Sequence, residues 1–183
     1  MKKILLPLLF LTLIVSAQKT PQAQKNIEVN NGTFLVKFKN IIASEEIISK
    51  FNDWVNLSSD HSFVKQSEKL NNQEQLNIYY AQVYKGVHVR GGTMVMREKD
   101  GSIDKIHGKI PIFENLNIQP NISSEQALDI AKSNLNISQQ NQSFPIKKII
   151  DWDPKAKDYN PVLVYEIRII SSEPFLMYDV FVD

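Results

Sequence analysis

Three histidines, His61, His88 and His107, are the only imidazoles in the chain, and cysteine is absent. The histidines lie 27 and 19 residues apart and none is followed by Glu. A zinc hydrolase needs two His on one helical face with a general base beside them, commonly His-Glu-x-x-His. Nothing in the chain supplies that spacing, so the three read as surface or strand histidines. Without cysteine there is no thiolate nucleophile and no disulfide framework. A Gly-x-Ser-x-Gly elbow, a phosphate-cradling glycine loop and a dinucleotide fingerprint are also missing. Asp151-Trp-Asp153, with Asp158 beyond it, has spaced carboxylates but lacks the glycine and terminal Glu of a calcium loop. Glu45-Glu46 reads as a pair of helix-start acids rather than a hydrolytic dyad, because such a dyad is assembled by the fold. Asn56 and Asn121 open Asn-x-Ser sequons, which an Asn-rich chain produces by chance. The expectation is a chain with no catalytic centre, no metal site and no cofactor.

The elements follow from periodicity. Met1–Ala17 has the parts of a secretory signal: Lys2 and Lys3, an apolar run Ile4–Val15, and small residues before a cut between Ala17 and Gln18. The run is shorter than the roughly 20 residues of a membrane-spanning helix; an uncleaved anchor is the alternative. Its removal takes two lysines and no acids, moving the formal charge from +1 to −1 over the remaining 166 residues. That balance argues against nucleic acid or an anionic membrane as partner. Gln18–Asn26 reads as a polar, flexible leader. Thr33–Lys39 alternates as a strand. A helix is predicted from Ser44, with Ile47, Ile48, Phe51, Trp54 and Val55 on one face. Ser62–Lys69 and Leu76–Tyr84 read as strands joined through Asn71-Asn72.

The chain is organised around Ile78–Gly108. Tyr, Val and Ile crowd its runs, and Lys85-Gly86 and Asp100-Gly101 punctuate them as hairpin turns, predicting an antiparallel meander. Gly91-Gly92 reads as a bulge or bend. His88 and Arg90 alternate with Val87 and Val89, so they should face away from the packed side, as solvated residues or partner contacts. Pro111–Pro120 reads as a boundary. Ser123 and Gln126 have capping-box spacing before a helix carrying Ala127, Leu128, Ala131 and Leu135. Strands are predicted over Ile146–Ile150, Val162–Ile170 and Phe175–Val182.

Gln82, Tyr84, Lys85-Gly86-Val87, Val89 and Gly91, followed by Asp100-Gly101 and Gly108, resemble the FTP module of thermolysin-like and fungalysin-like protease propeptides, whose pattern runs Q-x-Y-x-G-x-x-V-x-G. His88 stands where that family often has Pro, and Arg90 where it often has an aromatic. The helix with Ser123, Gln126, Ala127 and Ala131, and the strand Leu163–Ile167 centred on Tyr165, resemble a PepSY domain, which follows FTP in those propeptides. The resemblance implies an α+β fold of two small cystatin-like modules, each a helix packed on an antiparallel sheet. The expected division is 1–17 signal, 18–26 leader, 27–112 FTP-like, 113–122 linker and 123–183 PepSY-like. The family continues into an Ala-x-x-Gly turn and a further strand, so the last module is expected to be truncated at its C-terminus.

The resemblance implies the pro-region of a secreted zinc metalloprotease, a folding template and inhibitor that is itself non-catalytic. Its partner would be the metalloprotease catalytic domain, in cis or in trans. The alternatives are a free-standing secreted binding module or protease inhibitor, and an enzyme of an unrecognised kind.

Overall fold

The computed structural model describes residues 25–30, 33–38, 44–137, 144–152, 160–172 and 175–183. The signal-like segment, with the expected cut at Ala17–Gln18, lies outside them. In chain order the elements are β1 Lys25–Asn30, β2 Thr33–Phe38, α1 Ser44–Val55, β3 His61–Leu70, β4 Leu76–Tyr84, β5 Val87–Lys99, β6 Ser102–Lys109, α2 Ser124–Leu135, β7 Lys147–Asp151, β8 Val162–Ser172 and β9 Phe175–Val182. No described helix is long and apolar enough to cross a membrane.

Local chemistry sets the hairpins. Lys85-Gly86 and Asp100-Gly101 turn with positive φ at both residues, 46° and 82°, then 52° and 75°. Such paired positive φ values give the turn twist that matches flanking antiparallel strands. The expected capping box forms at α2. The Ser123 hydroxyl accepts from the Gln126 backbone N–H, and the Gln126 side chain accepts from the Ser123 N–H. Asn136 closes the helix in the left-handed region. β1 begins at Lys25, inside the stretch read as leader, and pairs antiparallel along β2.

The strands form one mixed sheet rather than two separate ones. β5 is where it forks. Along one side β5 pairs with β4; along the other its C-terminal part pairs with β6, and His88 and Val89 pair in parallel with Ile149 and Ile150 of β7. The order β1-β2-β6 thus leaves one branch of β5 and β7-β8-β9 the other, with β3-β4 on the far side. Within each branch a helix packs on antiparallel strands. The two branches share β5, so the fold is mixed α and β with one large sheet and two helices.

Register places both helices on one face of the sheet. Ile78, Tyr80, Met94, Met96 and Ile106 pack with Phe34, Val36 and α1 residues Ile47, Phe51 and Val55. Ile167, Ile169 and Val182 pack under Ala127 and Ala131 of α2. Between them Tyr84, Val87, Val89 and Ile150 are covered by Phe113, Leu116 and Ile118 of the expected linker. That segment has no regular secondary structure, yet it is a packed strap joining the two clusters.

Phe51 centres the first cluster. It is 0% exposed, with ring centroids 5.0 Å from Phe34 and 5.2 Å from Phe63. Phe51→Ala is expected to cost about 3–5 kcal/mol through lost burial and the cavity left behind. Ile48, expected on the apolar face, instead stands 37% exposed at its edge, so Ile48→Ala should cost about 0.5 kcal/mol or less. Urea unfolding of both variants checks the contrast.

Candidate functional site

The FTP-like motif residues converge on a buried hub. Gln82 enters it from β4, at the point where β5 leaves the ladder: Ala81 pairs with Thr93 and Val83 with His88, so Gln82 alone faces the Val89–Gly92 segment. Its amide nitrogen donates to Pro111 O at 3.0 Å and lies 2.9 Å from His61 Nδ1. His61 Nε2 lies 2.9 Å from Phe113 O. A carbonyl only accepts, so Nε2 carries the proton and Nδ1 accepts from Gln82. The His61 ring sits 4.8 Å from both the Tyr84 and Phe113 rings, and these two lie 4.8 Å from each other. Asn52 Nδ2 donates to His61 O, tying the end of α1 to the start of β3. His61 is thus a strand histidine, as read, but a buried one. Both its ring nitrogens are committed, so it is neither a free base nor a free ligand.

The glycine pair makes this arrangement possible. Gly91 has φ +81°, and a Cβ there would meet Trp152 O at 3.4 Å. A Cβ on Gly92 would stand 2.8 Å from the Gln82 Cβ and overlap its Oε1. The pair is the expected bulge, and Gly92 matters for packing as much as the motif residue Gly91. Gly108 is equally constrained: a Cβ would overlap Thr93 O and lie 2.9 Å from the Phe34 ring. Gly86 and Gly101 have open space around them, so positive φ alone calls for glycine there.

His88 and Arg90 lie on the face opposite the helices and are exposed. Arg90 is engaged within the chain. Its Nε donates to Asp151 Oδ1 of β7, and its guanidinium lies 4.2 Å from the Phe181 ring centroid on β9. Asp151, considered from sequence with Asp153 and Asp158 as a loop acid, thus clasps the two branches; Asp153 and Asp158 lie outside the described residues. Among the described residues no group of three or more His, Asp or Glu could hold a metal ion.

In the C-terminal branch Ala127 and Ala131 are both 0% exposed, the close approach of α2 to the sheet requiring small side chains. Tyr165 Oη donates to Ile122 O at 3.2 Å, fastening the strap's end to β8. A cleft of about 250 Å3 opens beside it, lined among others by Leu116, Pro120, Ile122, Lys148 and Leu163. His61, Phe113, Gly92 and Asp151 complete the hub and fork but stand outside the FTP-like and PepSY-like motif residues. The one available signal was Phe113, an aromatic amid the polar residues of a supposed linker.

Burial depresses the His61 pKa below its ordinary value, only partly offset by the Phe113 carbonyl, Asp60 and Glu114. The neutral form is therefore the folded form. Its stabilisation is present above the unfolded value of about 6.5 and is lost as pH falls below it. A protonated Nδ1 would confront the Gln82 amide N–H, and flipping that amide would set Oε1 against Pro111 O. The unfolding midpoint is expected to fall between pH 7.5 and 5, and to fall less in His61→Gln. Asp104 and Asp179, held low by Arg97 and Arg168, lose their contributions only at lower pH. Differential scanning fluorimetry across pH on both proteins checks the difference. By the same packing, Gly92→Ala should cost about 1–3 kcal/mol by displacing Gln82, measurable by urea unfolding.

Comparison with known families bears on these elements directly. A search of the curated proteins returns no match to the chain. A family model described as Fungalysin/Thermolysin Propeptide Motif matches residues 64–110, spanning most of β3 through β6. A second, described as Peptidase propeptide and YPEB domain (PepSY), matches residues 121–183, spanning α2 through β9. These are propeptide and inhibitor-type domains rather than catalytic ones, and they imply association with a protease catalytic domain and an extracellular setting. The chain carries an FTP motif followed by a PepSY domain, the order of a protease propeptide, and its role is propeptide-like or inhibitor-like.

Proposed function

We propose that the chain is the pro-region of a secreted zinc metalloprotease of the thermolysin or fungalysin type. In this reading it is an intramolecular folding template and inhibitor of the catalytic domain and is not itself an enzyme. Each matched segment corresponds to a small cystatin-like module, residues 1–17 direct export and are cleaved after Ala17, and the chain requires no cofactor of its own. The supporting observation is the shared sheet. A template must hold its shape while its client is still unfolded, and the fork at β5 joins the two segments through backbone hydrogen bonds rather than through a loose tether. The strap adds carbonyl bonds to His61, Gln82, Tyr165 and Lys148.

A free-standing inhibitor is the second reading, favoured by β9. It pairs only with β8 among the described strands and exposes Leu176 and Met177. An open strand edge of this kind can accept a partner's strand.

Adding the exported chain, residues 18–183, to denatured thermolysin catalytic domain tests the proposal. The expected result is faster recovery of peptidase activity on dilution, followed by inhibition of the recovered enzyme at equimolar chain. Inhibition without any effect on refolding would favour the second reading. Neither effect would overturn both.

A further inference from the structure

The face of the sheet away from the helices differs between the two branches. In the C-terminal branch, cross-strand neighbours carry opposite charges. Arg168 stands opposite Asp179 and makes a double hydrogen bond to it, and Lys147 stands opposite Glu166. This is how a solvated sheet surface is ordinarily stabilised.

In the N-terminal branch the register does the reverse. Lys37 of β2 stands opposite Lys105 of β6, which stands opposite Arg97 of β5. The row continues through Asn77 to Lys69. Arg97 is paired with Asp104 at the β6 bulge, and among the described residues no ion pair engages Lys37, Lys69 or Lys105. Like charges directly opposite one another destabilise a sheet. The neighbouring row is Leu35, His107, Val95 and Tyr79, with Tyr79 36% exposed and His107 Nδ1 shielded without a hydrogen-bond partner among the described residues. At its end, Glu28 of β1 takes the register position opposite Leu35. An apolar and aromatic strip thus runs beside a cationic one, in a chain whose formal charge is only +1.

An antiparallel sheet commonly leaves one face to solvent, so openness alone identifies nothing. Juxtaposed cations next to an apolar strip are different. They cost stability in the free chain, and a partner bearing carboxylates would relieve that cost. An apolar centre with a charged border is also the usual construction of a protein–protein contact. We infer that the β2-β6-β5-β4 face, with its Lys37–Lys105–Arg97 row and its Leu35–His107–Val95–Tyr79 strip, docks an acidic, partly apolar surface of the protease catalytic domain. This inference rests on the proposed pro-region or inhibitor role.

The test compares inhibition of mature thermolysin by the exported chain, by Lys37→Glu/Lys105→Glu, and by Lys50→Glu/Lys132→Glu. The last makes the same change in net charge on the helices, away from the face. The face variant leaves a like-charge pair at positions 37 and 105 but sets the new acid at 105 opposite Arg97, so its unfolding temperature is expected to stay close to the parent's. Its inhibition constant should rise at least tenfold while the helix variant stays within twofold, and salt should weaken the parent far more than the face variant. Equal inhibition by the face variant and the parent, with the face variant folded, would overturn the docking face and leave the inhibitor role standing. Equal weakening in both variants would reduce the effect to net charge and overturn it too. A parent chain that does not inhibit would remove the proposed role and this inference with it.

Discussion

The structure depends on one strand serving two ladders. β5 can pair with β7 at His88 and Val89 and with β6 beyond Thr93 only because its backbone bends between them. The bend needs Gly91 at positive φ and Gly92 without a side chain beneath Gln82. The Gln82 amide fills the space so created and uses both its hydrogens, one on His61 and one on Pro111. Backbone geometry, a buried amide and the course of the strap are therefore one constraint. A residue that changes any of them disturbs the relation between the FTP and PepSY segments, not merely a local turn.

Much of this was legible in the sequence because its signals were local. The β-hairpins at Lys85-Gly86 and Asp100-Gly101, the apolar face of α1, the capping box at Ser123 and the bulge at Gly91-Gly92 all depend on residues near one another in the chain. What was not legible depends on contacts across it. His61 looks like any strand histidine until Phe113, 52 residues away, accepts its proton. Arg90 has the alternation of an outward residue, and it does point outward, but Asp151 and Phe181 reach it from the other branch. β1 is short: only Ile27 and Val29 alternate with its polar residues, too brief a pattern to mark a strand until β2 pairs with it. The union of two sheets into one had no sequence signature, since the parallel ladder spans only two residue pairs.

The two faces of the sheet divide the labour. One is closed by both helices and the strap and holds the buried hub. The other carries the charged surface, with the Arg168–Asp179 salt bridge in the C-terminal branch and, in the N-terminal branch, lysines that no ion pair engages among the described residues. The FTP and PepSY segments are of propeptide and inhibitor type rather than catalytic, and the chemistry of such domains is that of recognition and of holding one shape. The ring of His61, with both nitrogens engaged, belongs to the second of these tasks.

The strap also bears on how such a chain would be dismantled. A proline-punctuated stretch between two domains is ordinarily where a protease first nicks a chain, because cleavage requires the backbone to be drawn out into an extended, accessible form. Here the carbonyls of Pro111 and Phe113 are held from within, Pro111 is buried, and the end of the stretch is fastened through Ile122 to Tyr165. Cutting there first demands that the hub open. The segment that would ordinarily be the weakest link in digestion is thus guarded by the same bonds that join the two halves, so breakdown would start elsewhere or wait for the hub to loosen.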